Sequence, residues 1–282
     1  MSTGKIRALI KEKSHHDPNR AQSLYCLFAM ERFLSRLSLS DSRDLFVIKG
    51  GLLVQATLGI DSRTTLDIDS TMRRFELSEP NIRLFLKQVI STPLNDGITF
   101  EVKEISEIRD EAEYPGYRAK LRAAFENMSI PFKIDFSTGE ALTPNAVRLN
   151  YPLTFDKGTI PLASYNLETL LAEKLETVLS RGTANTRMRD FYDIAALIKG
   201  ETPLDAQLLK AAFFATNHNR GNQASLENSS HILSKIRSDE HMAALWSAYQ
   251  RKYDYAMPYS FDSVIDATLS LCKAITANPR ID

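Results

Sequence analysis

A short apolar run followed by two glycines decides the fold, and it stands at residues 45–56 with the sequence LFVIKGGLLVQA. Residues 45–48 predict a buried strand, and Gly50 and Gly51 allow a sharp turn into a helix. Backbone amides at the start of that helix can approach a phosphate closely, because glycine places no side chain in the way. Most glycine pairs are plain turns, so this interpretation depends on the residues that follow.

Acidic residues follow on two further predicted strands. Asp67 and Asp69 are separated by one residue, so their side chains project from the same face of a strand at residues 66–70, about 7 Å apart. Asp135 lies in the stretch FKIDF at residues 132–136, where alternation places it on the polar face. Three carboxylates on neighbouring strands can hold Mg²⁺ against a triphosphate. They predict a metal-dependent nucleotidyltransferase, with a polar strand face turned to water as the alternative.

The remaining pattern divides the chain into a mixed first half and a helical second half. Residues 20–39 and 78–90 predict helices, the first from apolar spacing and the second from a serine cap and an early proline. Further strands are predicted at residues 98–105, 117–125 and 131–136. Further helices are predicted at residues 167–179, 187–198, 205–216, 232–249 and 261–275. The prediction is an α+β fold, with a nucleotidyltransferase-type mixed sheet and flanking helices at residues 1–160 and a helical domain at residues 161–282.

Composition narrows the class of protein. The 282 residues carry 35 basic and 35 acidic side chains, so an RNA partner would have to meet a local basic patch. Cys26 and Cys272 stand far apart among apolar neighbours, which argues against a disulfide framework. No run approaches the roughly 20 apolar residues that span a bilayer, and residues 1–16 lack the apolar core of a secretory signal. We therefore expect a cytoplasmic protein without a membrane partner.

A lysine on an apolar helix face draws attention to the second half. Lys174 shares a helical stripe with Leu171, where a lysine needs an anionic partner or must reach outward to water. On the next predicted helix Asp190 and Asp193 stand one turn apart, and Asp190 can orient Lys174 or Arg189. A structural salt bridge for Lys174 and a helix-end ion pair for Asp190 are the simpler alternatives.

Four blocks of sequence together resemble the AbiEii/AbiGii toxin family of the polymerase-beta-like nucleotidyltransferase superfamily. The blocks are Lys49-Gly50-Gly51, Arg63-Thr64-Thr65-Leu66-Asp67-Ile68-Asp69, Glu173-Lys174-Leu175 and Arg189-Asp190-Phe191-Tyr192-Asp193. Their order and spacing are more specific than any single block. The family usually has lysine where Arg189 stands, and arginine keeps the charge but not the proton-transfer chemistry. We therefore assign Arg189 to phosphate binding.

The resemblance implies the toxin of a toxin–antitoxin or phage-defence pair, which uses a nucleoside triphosphate with Mg²⁺, or Mn²⁺, and releases pyrophosphate. Some relatives, including the MenT toxins, add nucleotides to the 3′ end of tRNA, so we expect tRNA or another RNA as acceptor and a cognate antitoxin as partner. The expected catalytic residues are Asp67, Asp69, Asp135, Lys174 and Asp190, the first three as metal ligands. The expected nucleotide-binding residues are Lys49, Gly50, Gly51, Arg63, Lys174 and Arg189. Asp135 can instead be the general base, since its role varies among such enzymes.

Two other functions stay open at the level of sequence. Nucleotidyl transfer to a small molecule or a protein would use the same sheet, whereas an RNA acceptor calls for a continuous basic path. Candidates for that path are Lys174, Arg181, Arg187, Arg189, Arg32, Arg36 and Arg43. The third possibility is a catalytically silent protein that binds a nucleotide or an antitoxin, and the complete set of acids argues against it.

Overall fold

The apolar run before the glycine pair forms an inner strand of a mixed sheet. Among the described residues, the strands are β1 (Phe46–Lys49), β2 (Asp67–Met72), β3 (Ile98–Ile108), β4 (Gly116–Phe125), β5 (Met128–Ser137), β6 (Val147–Pro152) and β7 (Thr159–Ser164). They pair in the order β3-β4-β5-β2-β1-β7-β6, with β2 parallel to β5 and β1 parallel to β7. The other neighbours are antiparallel. The predicted α+β fold class, with a mixed sheet first and helices after it, is confirmed.

The computed structural model describes residues 2–108, 116–201, 203–221, 224 and 226–276. They fall into two units: a sheet unit, comprising the residues up to Glu140 together with Ala146–Tyr165, and a helical unit, comprising Ala141–Asn145 and the residues from Asn166 onward. Within the described part of the chain, no helix combines the length and apolar character needed to cross a bilayer.

One long helix supplies much of the core of the sheet unit. The helices of this unit are α1 (Thr3–Lys13), α2 (Pro18–Leu39), α3 (Gly50–Leu58) and α4 (Glu79–Ile90). Phe33 of α2 is fully buried, and its ring lies 6.4 Å from that of Phe46 and 6.2 Å from those of Phe100 and Phe132. These contacts join three strands to α2 and fill one face of the sheet. The other face of β2, β4 and β5 carries the charged side chains.

The helical unit follows the predicted pattern with one division. Its helices are α5 (Leu167–Arg181), α6 (Met188–Lys199), α7 (Ala206–Asn219), α8 (Ser229–Ser238), α9 (Glu240–Lys252) and α10 (Phe261–Thr276). The single helix predicted at residues 232–249 is wrong, because Asp239 has an extended backbone and its carboxylate accepts a hydrogen bond from the Met242 amide at 3.0 Å. That carboxylate caps a new helix, so α8 ends and α9 begins there.

Two strands and one helix were missing from the prediction. Neither β6 nor β7 was predicted, and each contains a proline, Pro152 or Pro161, a residue type that strands disfavour. In the structure Pro152 ends β6, and β7 pairs with β1 through Val47 and Ala163. Helix α1 was also not predicted. The strand predicted at residues 66–70 begins one residue later in the structure, at Asp67, and Leu66 before it is 50% exposed.

A buried glutamate connects α2 to the turn between β6 and β7. The Glu31 carboxylate accepts hydrogen bonds from the backbone amides of Thr154 at 2.7 Å and Phe155 at 3.3 Å. Burial raises the pKa of Glu31 to about 7, although those two amides and the charge of Arg32 act to lower it. The folded protein therefore holds the Glu31 proton more tightly than the unfolded chain does.

This raised pKa predicts a pH-dependent difference in stability between Glu31→Gln and the unaltered protein. As pH rises from the ordinary value of 4.5 to about 7, the unfolded chain releases the proton first, so the free energy of unfolding of the unaltered protein falls. Glutamine does not ionise, so the free energy of unfolding of the variant, relative to that of the unaltered protein, should rise by about 3 kcal/mol between pH 4.5 and pH 8. Denaturant unfolding at both pH values measures this shift, and an equal difference at both would contradict it.

Candidate active site

Four charged residues from four adjacent strands share one row across the sheet. Asp69 of β2 is in register with Asp135 of β5 and with Lys49 of β1, and Arg118 of β4 is in register with Asp135. Residues in register project from the same face of a sheet. The row therefore reads arginine, aspartate, aspartate, lysine on the face opposite the apolar core.

The three predicted acids come together on that face. One carboxylate oxygen from each of Asp67, Asp69 and Asp135 lies within 4.8 Å of the others, and all three residues are half-buried. A set of three half-buried carboxylates fits a hard divalent cation such as Mg²⁺, which takes oxygen ligands. We call these three residues the acid triad.

The glycine turn packs directly against the acid triad. Gly50 has φ +62°, and a Cβ placed on it would lie 2.0 Å from Oδ2 of Asp69. The Gly51 amide donates a hydrogen bond to the same oxygen at 3.3 Å, and a Cβ on Gly51 would lie 2.9 Å from Oγ1 of Thr65. Thr65 in turn donates a hydrogen bond from Oγ1 to Oδ1 of Asp67 at 2.8 Å. The glycines are thus required for close approach to the acids, a reason that the sequence did not reveal.

We expect Gly50→Ala to lower the nucleotidyl transfer predicted for this site about a hundredfold, because its Cβ would displace the Asp69 carboxylate. Gly59→Ala is the matched control: Gly59 also has a positive φ, +87°, but nothing lies within 4 Å of its Cβ position. Both variants carry backbone strain, and only the first carries the collision. Equal activity in the two variants, measured as pyrophosphate release, would show that the collision is harmless.

Lys49 is held by an acid that sequence analysis missed. The side chain of Glu140, which follows β5, is fully buried, and it forms an ion pair with Nζ of Lys49 at 2.5 Å. It also accepts hydrogen bonds from Oγ1 of Thr71 at 2.5 Å and from the Ser137 hydroxyl. Burial would raise the pKa of Glu140, but Lys49 and these hydroxyls outweigh it and lower the pKa. A single glutamate in a loop carries no sequence signal for this contact. The role of Lys49 in nucleotide binding stays a prediction.

The arginine that precedes the acid triad lies beneath the glycine turn. Arg63 is buried, and its guanidinium donates a hydrogen bond to the Thr64 carbonyl oxygen. Its Nη2 is 3.1 Å from the position that a Cβ on Gly51 would occupy. Arg63 therefore supports the segment that carries the triad, and its contact with a nucleotide stays a prediction.

Within the helical unit, Lys174 of α5 lies among carboxylates of α6. Its Nζ contacts Oδ1 of Asp190 at 3.0 Å and Oδ2 of Asp193 at 2.7 Å, and all three side chains are buried. Arg187 donates a hydrogen bond from Nε to Oδ2 of Asp190 at 2.8 Å. Burial would raise the pKa of Asp190, but the charges of Lys174, Arg187 and Arg189 outweigh it and hold the pKa at about 2. Arg189 itself is exposed.

Three members of the candidate basic path are withdrawn by the structure, and the first is Lys174, which is buried between Asp190 and Asp193. Arg36 is buried and binds both carboxylate oxygens of Asp96, at 2.7 and 2.8 Å. Arg32 is also buried, with Nη1 2.5 Å from Oδ2 of Asp156. Both arginines are buried and paired with carboxylates, of which Asp96 is largely buried and Asp156 is 39% exposed, so neither arginine presents a basic surface.

Comparisons with known proteins show the family of the chain and its fold. A family model described as the nucleotidyl transferase AbiEii toxin of a type IV toxin–antitoxin system matches residues 32–267. No curated protein sequence matches the chain. Among solved structures, the nucleotidyltransferase toxin MenT4 of Mycobacterium tuberculosis matches with a TM-score of 0.56 at 16% identity, covering 96% of this chain and 98% of that one. JHP933 of Helicobacter pylori has a TM-score of 0.45 at 17% identity, covering 89% of this chain and 93% of that one.

Proposed function

Because the chain belongs to the AbiEii family of nucleotidyl transferase toxins, we propose that it transfers a nucleotide from a nucleoside triphosphate to the 3′ end of an RNA, with Mg²⁺ at the acid triad. The observation that carries the proposal is the meeting of the triad oxygens beside a glycine turn, within the span that the family model matches. The toxin–antitoxin pairing of the family supports a cognate antitoxin as protein partner. tRNA is the acceptor that we favour, in keeping with the MenT-like sequence blocks.

The reaction assigns a task to each element of the site. The 3′-hydroxyl oxygen of the acceptor forms a bond to the α-phosphorus, the bond from that phosphorus to the bridging oxygen breaks, and pyrophosphate leaves. Mg²⁺ bound at the triad would neutralise charge on the phosphates. Asp67 and Asp69 would hold the ion, and Asp135 would add a third ligand or take the proton of the hydroxyl.

The remaining proposed roles belong to residues of the helical unit and to the residues that bind the nucleotide. Besides the triad, we assign Lys174 and Asp190 to catalysis because they stand in the sequence blocks of the family. We assign these residues to nucleotide binding: Lys49, Gly50, Gly51, Arg63, Lys174 and Arg189. Arg189 offers the clearest test of this set, because it is exposed and its replacement should weaken triphosphate binding, while Lys174 and Arg187 still pair with Asp190. Isothermal titration of Arg189→Met with a triphosphate and Mg²⁺ measures this effect.

The proposed function is tested by incubating the purified protein with total RNA, Mg²⁺ and each labelled nucleoside triphosphate in turn. We expect label in a tRNA-sized band on a denaturing gel, with no label when a chelator removes the metal. The nucleotide that gives the band identifies the preferred base. Label in no RNA, from protein that binds triphosphate, would contradict the RNA acceptor and favour a protein or small-molecule acceptor.

A further inference from the structure

One arginine holds the third acid of the triad by both of its oxygens. Arg118 of β4 donates hydrogen bonds from Nε to Oδ1 of Asp135 at 2.7 Å and from Nη2 to Oδ2 at 2.6 Å. This bidentate geometry is the strongest form of an arginine–carboxylate pair. The Arg118 side chain is 38% exposed and that of Asp135 is 19% exposed, so a cation from solution can compete for the carboxylate.

The charge of Arg118 acts on the whole triad. Arg118 is in register with Asp135, and Asp135 is in register with Asp69, so the guanidinium lies next to the triad in the charged row. Interactions between charges are reciprocal, so the same guanidinium lowers the negative potential that draws a divalent cation to these acids. It also occupies oxygen lone pairs of Asp135 that a metal ligand would use.

Its neighbours on the same strand face have no such position. Lys120 pairs with Glu104 at 2.8 Å and Arg122 pairs with Glu101 at 2.5 Å, both across β3 and β4 and away from the triad. Arg122 therefore has the same charge, strand face and kind of partner as Arg118 without contact to the acids. It provides a matched control.

We propose that Arg118 is a positioning residue that competes with the divalent cation for Asp135 and so sets the metal affinity of the triad. When a cation binds, the guanidinium yields oxygen lone pairs of Asp135, and the cation replaces its charge. This inference rests on the proposed function only in placing a divalent cation at the triad. In this role Arg118 weakens the binding of the divalent cation, whereas a metal ligand would strengthen it.

The test is a titration of the purified protein with Mn²⁺ in the absence of nucleotide. The electron paramagnetic resonance signal of free Mn²⁺ measures the binding. We expect Arg118→Met to lower the dissociation constant about fivefold or more, because a competing charge-assisted pair is lost. Arg118→Lys keeps the charge, so its dissociation constant for Mn²⁺ should stay closer to that of the unaltered protein. The dissociation constant of Arg122→Met should equal that of the unaltered protein. In an Asp135→Asn background, Arg118→Met should lose most of its effect.

Each other outcome overturns the inference in a distinguishable way. Unchanged or weaker Mn²⁺ binding by folded Arg118→Met, with binding in the unaltered protein that depends on Asp69, would overturn the competition and leave the metal site standing. Absence of saturable binding in both proteins would overturn the inference together with the proposed metal site. A gain of equal size in Arg122→Met would show a general charge effect and would likewise overturn the role of Arg118.

Discussion

Replacement of Asp69 by asparagine is expected to lower nucleotidyl transfer about a thousandfold and to leave the fold intact. Asp69 lies at the centre of the charged row, in register with Lys49 and Asp135, and shares the triad with Asp67. Asparagine keeps the size of the side chain and an oxygen that can accept the hydrogen bond from the Gly51 amide, but it removes the negative charge that a divalent cation requires. The loss should therefore be one of chemistry.

Glu104→Gln is the matched control for this experiment. Glu104 of β3, three strands from β2, is an exposed acid on the same sheet face, and it pairs with Lys120. Its neutralisation should leave nucleotidyl transfer within about twofold of the unaltered protein, since an exposed ion pair contributes little. Full activity in a well-folded Asp69→Asn protein would exclude the triad as the catalytic site.

The largest effect on stability is expected from Lys174→Met, at about 3 kcal/mol or more. Methionine fills the space of the lysine stem but removes the ammonium group that lies 2.7 Å from Asp193. Asp190 loses the same ammonium group and keeps its ion pair with Arg187. Buried carboxylates that lose a cation are costly because burial disfavours their charged form. Trp246, the single tryptophan, is buried in α9 of the same unit, so its fluorescence during denaturant unfolding reports this loss.

Acid and a second variant give independent checks of this ion cluster. The pKa of Asp190 is held at about 2, below its ordinary 3.8, so its contribution to stability is present above pH 3.8 and is lost as pH falls toward 2. The loss in free energy of unfolding caused by Lys174→Met should therefore become smaller as pH falls from 3.8 toward 2. Lys210→Met, at an exposed position of α7, should change the free energy of unfolding by less than about 0.5 kcal/mol. A similar cost in both variants would contradict the role of the buried pairs.

The parts of the site that sequence could predict are those that depend on short spacing. Alternation alone places Asp67 and Asp69 on one strand face, and it separates Asp135 from its apolar neighbours. A lysine on the apolar stripe of α5 predicts a nearby anion, and Lys174 contacts Asp190 and Asp193. Each of these inferences depends on the spacing of residues within one strand or helix, or on the order of the sequence blocks that resemble the family.

The parts that sequence could not predict involve contacts between distant segments. Nothing near Arg118 indicates that it binds Asp135, because the pairing depends on the register of β4 against β5. Glu140 reaches Lys49 across 91 positions of the chain, and Arg36, expected on a basic surface, is buried against Asp96. In each case the partner is chosen by packing, and no local pattern records it.

Residue order alone determined the class of fold and the positions of the acids, because hydrophobic periodicity and side-chain alternation are local properties of the chain. The tertiary structure decided which partner each charge takes: Arg118 for Asp135, Glu140 for Lys49, and the Asp69 carboxylate for the glycine turn. The physical reason is that burial makes an unpaired charge costly, while strand register determines which opposite charge is within reach.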